Sequence, residues 1–213
     1  MSARTFSTRL VAAFALTAAA SASQAAFVTF NSLAAFNAAT ITQGTDTFNN
    51  LAIASTPSPL LRSAGAFGYR ASVTGPFSGL FFPAGTAADV WLSTNSAPDS
   101  VVFDLFGANV KAIGGLFFGS NILGDFAAGN ILLEAFDSSG SVSTTLINPS
   151  TSTFFGFATN ATLLSLRVTS APAAGAMLWP TINDLRLGTV PTPGTMALVA
   201  LALLAAAGVR RRT

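Results

Sequence analysis

The 213-residue chain has no cysteine and no histidine, and ten Lys/Arg against eight Asp/Glu give it a formal charge of +2. That basicity is terminal: Arg4, Arg9, Arg210, Arg211 and Arg212 supply half the cations, while residues 26–189 carry Arg62, Arg70, Lys111, Arg167 and Arg186 against eight acids, a net −3. Composition thus excludes a disulfide framework, a His/Cys zinc site, Ser-His-Asp or Cys-His catalysis, and the Lys/Arg cluster that nucleic acid requires.

Residues 1–25 have the three parts of a secretory signal: Arg4 and Arg9, then the apolar run Leu10 to Ala20, then the small-residue end SASQA. Eleven apolar residues are too short to span ~30 Å of hydrocarbon, so the segment reads as cleaved, with the cut expected after Ala25. Sec-type export machinery and signal peptidase are the partners this implies.

The body, residues 26–189, opens with a short strand at Phe27 to Phe30, then a short helix capped by Asn31 or Ser32 with Leu33 and Phe36 on one face. Leu51 to Arg62, holding Pro57 and Pro59, reads as a loop. Apolar and polar residues then alternate in AFGYRASV, SVVFDLF (Val101, Phe103, Leu105 inward), TLLSLRVT (Leu164, Leu166, Val168 inward) and NDLRLG. Further strands fit DVWLS, VKAIGGLFF, NILLEAFD, VSTTLIN and TFFGFA, with a bulge at Gly114-Gly115 and a hairpin turn at Asp137-Ser138-Ser139-Gly140. At least nine short strands and one helix predict an all-β fold: an antiparallel β-sandwich of jelly-roll type, flanked by the signal helix and a C-terminal hydrophobic helix.

Little in the body points to catalysis, and no cofactor is expected: neither a P-loop nor a dinucleotide fingerprint is present. A carboxylate pair of glycosidase type would draw on Glu134, the only glutamate, with Asp125 or Asp104. Calcium could be offered Asp125 with Asn121 and Asn130, or Asp184 with Asn183, but turn-forming Asn and Asp explain these better, so no metal site is assigned. Alternation in DVWLS sets Trp91 beside Asp89 and Ser93, away from Val90 and Leu92, and Trp179 precedes the last strand. Both indoles are candidates for stacking on a glycan, against the plainer reading of aromatic packing. The function expected is non-enzymatic, with a carbohydrate-binding module as the alternative and a carboxylate glycosidase behind it.

The terminal stretch 190–213, VPTPGTMALVALALLAAAGVRRRT, carries the strongest signal. Residues 195–209 as a helix would measure about 23 Å, short of a full ~30 Å span. Arg210, Arg211 and Arg212 would stay on the cytoplasmic side of the inner membrane and leave the body outside. The order of Val190, Pro191, Thr192, Pro193 and Gly194, an apolar run and an arginine cluster resembles the PEP-CTERM sorting signal of Gram-negative bacteria, with Thr192 where that family usually has Glu. The resemblance implies an exosortase that removes the helix, a transient membrane anchor, and delivery to the cell surface or extracellular matrix, often alongside exopolysaccharide.

Overall fold

The structure, a computed structural model, describes residues 27–77, 79–107, 109–171 and 177–191. The signal segment 1–25, positions Thr192, Pro193 and Gly194, the run 195–209 and Arg210 to Arg212 lie outside the described residues. The period of two in the body does what it predicts: strands pair antiparallel throughout and gather into two main sheets. The first runs β1 (Val28–Phe30), β14 (Phe154–Ala158), β10 (Ala112–Ser120), β16 (Trp179–Gly188), β8 (Asp89–Ser93), β7 (Ala84–Thr86), with β2 (Gln43–Asp46) also on β16 and β11 (Phe126–Ala127) on β10. The second runs β13 (Gly140–Leu146), β12 (Asn130–Asp137), β15 (Leu163–Ala171), β9 (Ser100–Asp104), β5 (Phe67–Thr74), β4 (Leu60–Ala64). A small pair, β3 (Thr56–Pro57) with β6 (Leu80–Phe81), is bridged to the end of β8 through Phe81 and Thr94.

The sheets form a β-sandwich, because their inward side chains share one core. Ile113, Phe117, Phe157, Ile182 and Leu187 of the first sheet pack with Tyr69, Phe103, Ile131, Leu133 and Leu166 of the second. A second cluster lies on the outer face of the first sheet. There α1 (Leu33–Ala39), capped by Ser32 Oγ accepting from Ala35 N, lays Phe36 over Ala112, Phe154 and Ala158. Val190 is partly buried against this cluster, so the body stays in contact with the chain as far as that residue.

The structure corrects three local readings. Within the expected loop Leu51 to Arg62, Thr56–Pro57 is β3 and Leu60 to Arg62 belongs to β4, both edge strands, where Pro57 and Pro59 interrupt no ladder between two neighbours. Leu105 follows the end of β9 with φ +47° and is 63% exposed, because the chain has already left the pleat. Leu164 also points outward. Register jumps from Phe136↔Ser165 to Asp137↔Leu163, so Leu164 is an extra residue on β15 and Leu163 takes the inward position. Leu164→Ser is therefore expected to shift stability by less than about 0.5 kcal/mol in urea unfolding, whereas Leu163→Ser should cost at least about 2 kcal/mol. Equal costs would contradict this bulge.

The bulge expected at Gly114-Gly115 is present, although the extra residue sits opposite, on β16. Leu116 pairs with Asn183 and Gly114 with Arg186, and Asp184 adopts φ +48°. This kink changes the neighbours of β16. Thr181 and Ile182 pair with β8, whereas Leu185 to Gly188 pair with β2. The end of the outer face that α1 does not cover is thereby lined by β8, β10 and β16.

Candidate functional site

At that uncovered end, outward positions on adjacent strands bring together Trp91, Phe118, Ser93, Thr181, Ser120 and Trp179. Ser93, Ser120 and Trp179 of this group line a cavity of about 250 Å³, together with Phe82, Ala84, Thr94, Asn95, Asn121, Ile122 and Gly124. The volume is below the roughly 300–1,000 Å³ of clefts for drug-sized ligands, and the lining mixes hydroxyls and amides with apolar side chains.

Two buried hydroxyls, Ser93 and Ser120, line the cavity, and a third, Thr181, links them. Ser93 Oγ donates to the Pro180 carbonyl at 3.1 Å, and Thr181 Oγ1 lies 3.2 Å from Ser93 Oγ and 2.8 Å from Ser120 Oγ. Each hydroxyl has one proton and two lone pairs, and the proton of Ser93 is already used. If Thr181 donates to Ser93 or to the Trp179 carbonyl, Ser120 donates to Thr181 and keeps its lone pairs for the cavity. If Thr181 donates to Ser120, the Ser120 proton faces the cavity instead. In either arrangement Ser120 retains hydrogen-bonding capacity toward a ligand, beside the amides of Asn95 and Asn121.

The two tryptophans divide their roles. Trp179 is not an irregular approach to the last strand but its first residue, 8% exposed, and it walls the cavity. Trp91 does not line the cavity. Its Nε1 donates to Asp89 Oδ2 at 2.8 Å, the other Asp89 oxygen accepts from Asn183 Nδ2 at 2.9 Å, and Phe118 packs at right angles with a centroid distance of 4.9 Å. Gly85, at φ +85°, closes on the indole so tightly that a Cβ there would stand 2.9 Å from Cδ2 and 3.1 Å from Cε2, the ring-fusion atoms. Approach to both fusion atoms is approach to the ring face, so one face of Trp91 is already covered.

The other sequence candidates are dispersed. Glu134 faces Arg167 across β12–β15, on the outer side of the second sheet. Asp104 is two strands away, with both oxygens held by Arg70 at 2.8 and 2.7 Å, and Asp125 belongs to a turn of the first sheet. Asn121 Oδ1 accepts from the backbone of Leu123 and Asp125, Asn130 Oδ1 from Asn148, and Asn183 Oδ1 from Asp184, so these amides are engaged as turn and backbone partners. Among the described residues no three His, Cys, Asp or Glu cluster as a metal site would require. Also among the described residues, no helix is long and apolar enough to cross a membrane.

Sequence reasoning missed Ser93, Ser120 and Thr181. Ser93 and Ser120 end their strands and Thr181 is the third residue of β16, all at outward positions, but their partnership spans 61 and 88 residues of chain and has no local signature.

No family model matches the chain, and no curated protein does. Among solved structures, the chain is similar to CBM51 from Clostridium perfringens GH95, determined in complex with methyl-galactose. Identity is 13% and the TM-score 0.34, over 67% of this chain and 99% of that one.

Proposed function

We propose that this chain is an exported, non-enzymatic protein of the bacterial surface or extracellular matrix, and that its sandwich takes a neutral saccharide in the cleft between β7, β8, β10 and β16. The observation that carries the saccharide reading is the pair of buried hydroxyls lining the cleft, Ser93 and Ser120, linked through Thr181. Its unspent capacity at Ser120 is set between two amides and the indole of Trp179. A sugar presents the same chemistry in reverse: hydroxyls that donate and accept, and C–H faces that pack on an aromatic ring. Strands that cross between the sheets, β8 to β9 to β10 and β15 to β16, support the jelly-roll connectivity. Full use of Asp104 by Arg70 supports a binding role over carboxylate catalysis.

Titration of the full chain with a panel of neutral mono- and disaccharides should change tryptophan emission, because both tryptophans stand at this end. Ser120→Ala should weaken the responding saccharide about tenfold, the loss of one or two hydrogen bonds in a buried site. Unchanged emission across the panel would overturn the saccharide reading.

Export and sorting rest on the two terminal segments and on the PEP-CTERM resemblance. Exosortase, the inner membrane as a transient anchor, and exopolysaccharide are the partners that follow from it. Mass spectrometry of the extracellular protein should find a C-terminus lacking Arg210 to Arg212. Recovery of mature protein with those arginines attached would refute processing. Thr192→Glu, which restores the residue usual in that signal, should raise the processed fraction.

A further inference from the structure

The turn at the cleft rim, residues 121–125, presents two consecutive aliphatic side chains to solvent, Ile122 at 77% and Leu123 at 81% exposure. Ile122 also lines the cavity, and the half-exposed rings of Phe82 and Phe126 flank it. Single exposed apolar residues are ordinary, but a contiguous group around a cleft marks a surface meant to be covered. The turn is held rather than loose. Asn121 Oδ1 accepts from Leu123 N at 2.8 Å and Asp125 N at 3.0 Å, Asn121 N donates to the Asp125 carbonyl, and Gly124, at φ +83°, is tied to Gly85. Little ordering entropy is therefore left to lose when the pair is buried.

We infer that the ligand of this cleft is a lipid-linked neutral saccharide in a membrane surface, its sugar on Ser120 and its acyl layer receiving Ile122 and Leu123. The inference rests on the saccharide reading above and names the class of molecule that carries the sugar. A cavity that offers Ser120, Asn95 and Asn121 beside apolar walls and continues into an aliphatic rim matches an amphiphile, whose sugar and acyl chain meet at one boundary. The charge rules out an anionic surface as the attraction. Asp89 and Asp125 at this end are acidic, and the body carries a net −3, so binding must come from hydroxyl contacts and apolar burial.

The chain has two tryptophans, and both Trp91 and Trp179 belong to this end, so their emission reports on it wherever the terminal segments go. The experiment mixes the full chain with phosphatidylcholine vesicles brominated in the acyl chains, with and without a neutral glycosyl-diacylglycerol. Tryptophan quenching should rise with the glycolipid above any level that residues 195–209 produce on plain phosphatidylcholine, and Ile122→Asp with Leu123→Asp should raise the glycolipid needed for half of that rise by about tenfold or more. Both positions are exposed, so an unchanged near-ultraviolet circular dichroism spectrum should accompany the loss. If free saccharide alters the emission but the glycolipid adds no quenching, or the double variant quenches like the wild type, the membrane inference fails and the saccharide reading stands. If neither free saccharide nor glycolipid affects the tryptophans, both fail.

Discussion

Replacing Asp46 by Ala should destabilise the protein by about 3–5 kcal/mol, read as a lower urea midpoint with unchanged slope. Asp46 is 6% exposed and holds four donors: the Phe48 backbone N–H at 3.0 Å, Arg62 Nε and Nη2 at 2.7 Å each, and the Tyr69 hydroxyl at 2.7 Å. Arg62, itself 9% exposed, also lies 5.1 Å over the Phe48 ring. Removing the carboxylate strands a guanidinium and a phenol out of water, and the cost of that desolvation dominates the loss. A triple replacement, Asp46→Leu, Arg62→Met and Tyr69→Phe, should recover part of the stability, because apolar groups of similar size leave no charge unpaired. A cost below about 1 kcal/mol for Asp46→Ala would mean that Arg62 finds water instead.

The same cluster sets an alkaline limit. Burial and the Asp46 carboxylate push the Tyr69 phenol well above the ordinary tyrosine range near 10. Folded protein therefore keeps a proton that the unfolded chain releases above about pH 10, so the contribution of Tyr69 to stability is constant below that pH and is lost as pH rises past it. Tyr69 is the sole tyrosine, and its phenolate absorbance should appear together with unfolding rather than before it.

These residues show how much was legible in the chain. Alternation in β5 placed Tyr69, Ala71 and Val73 inward, the Ser32 cap and the Asp137-Ser138-Ser139-Gly140 hairpin stand where turn chemistry puts them, and the Gly114-Gly115 irregularity is real. Local signals sufficed there because each is decided within a few residues. Leu164 was misplaced because a bulge shifts the period of two without changing residue types, and only pairing with β12 reveals it. The Asp46–Arg62–Tyr69 cluster and the linked hydroxyls of the cleft were invisible for a related reason. The hydroxyls join strands 61 and 88 residues apart, Asp46 reaches from β2 to the β4–β5 hairpin of the other sheet, and Asp, Ser and Thr at such positions read as ordinary surface until the sheet order is known.

Gly44→Ala is the second large expectation, at least about 3 kcal/mol of lost stability. Gly44 lies on β2, where that strand crosses the turn between β4 and β5. A Cβ there would stand 1.9 Å from the Ala64 carbonyl oxygen, 2.4 Å from its carbon and 2.9 Å from Gly65 N. All three are backbone atoms, so no rotamer change relieves the overlap and the strand or the turn must shift. Gly68→Ala on neighbouring β5 is the control, since a Cβ there meets nothing within 4 Å. Equal costs at the two positions would remove the crossing from the account. β2 joins both layers, pairing with β16 in the first sheet while Asp46 grips Arg62 and Tyr69 in the second. Displacing it should loosen the sandwich at Leu185 to Gly188, beyond the Asp184 kink, while Thr181 and Ile182 stay paired with β8 and β10. Gly44→Ala is therefore expected to lower the unfolding midpoint yet leave the saccharide response of the tryptophans unchanged at temperatures where the protein remains folded.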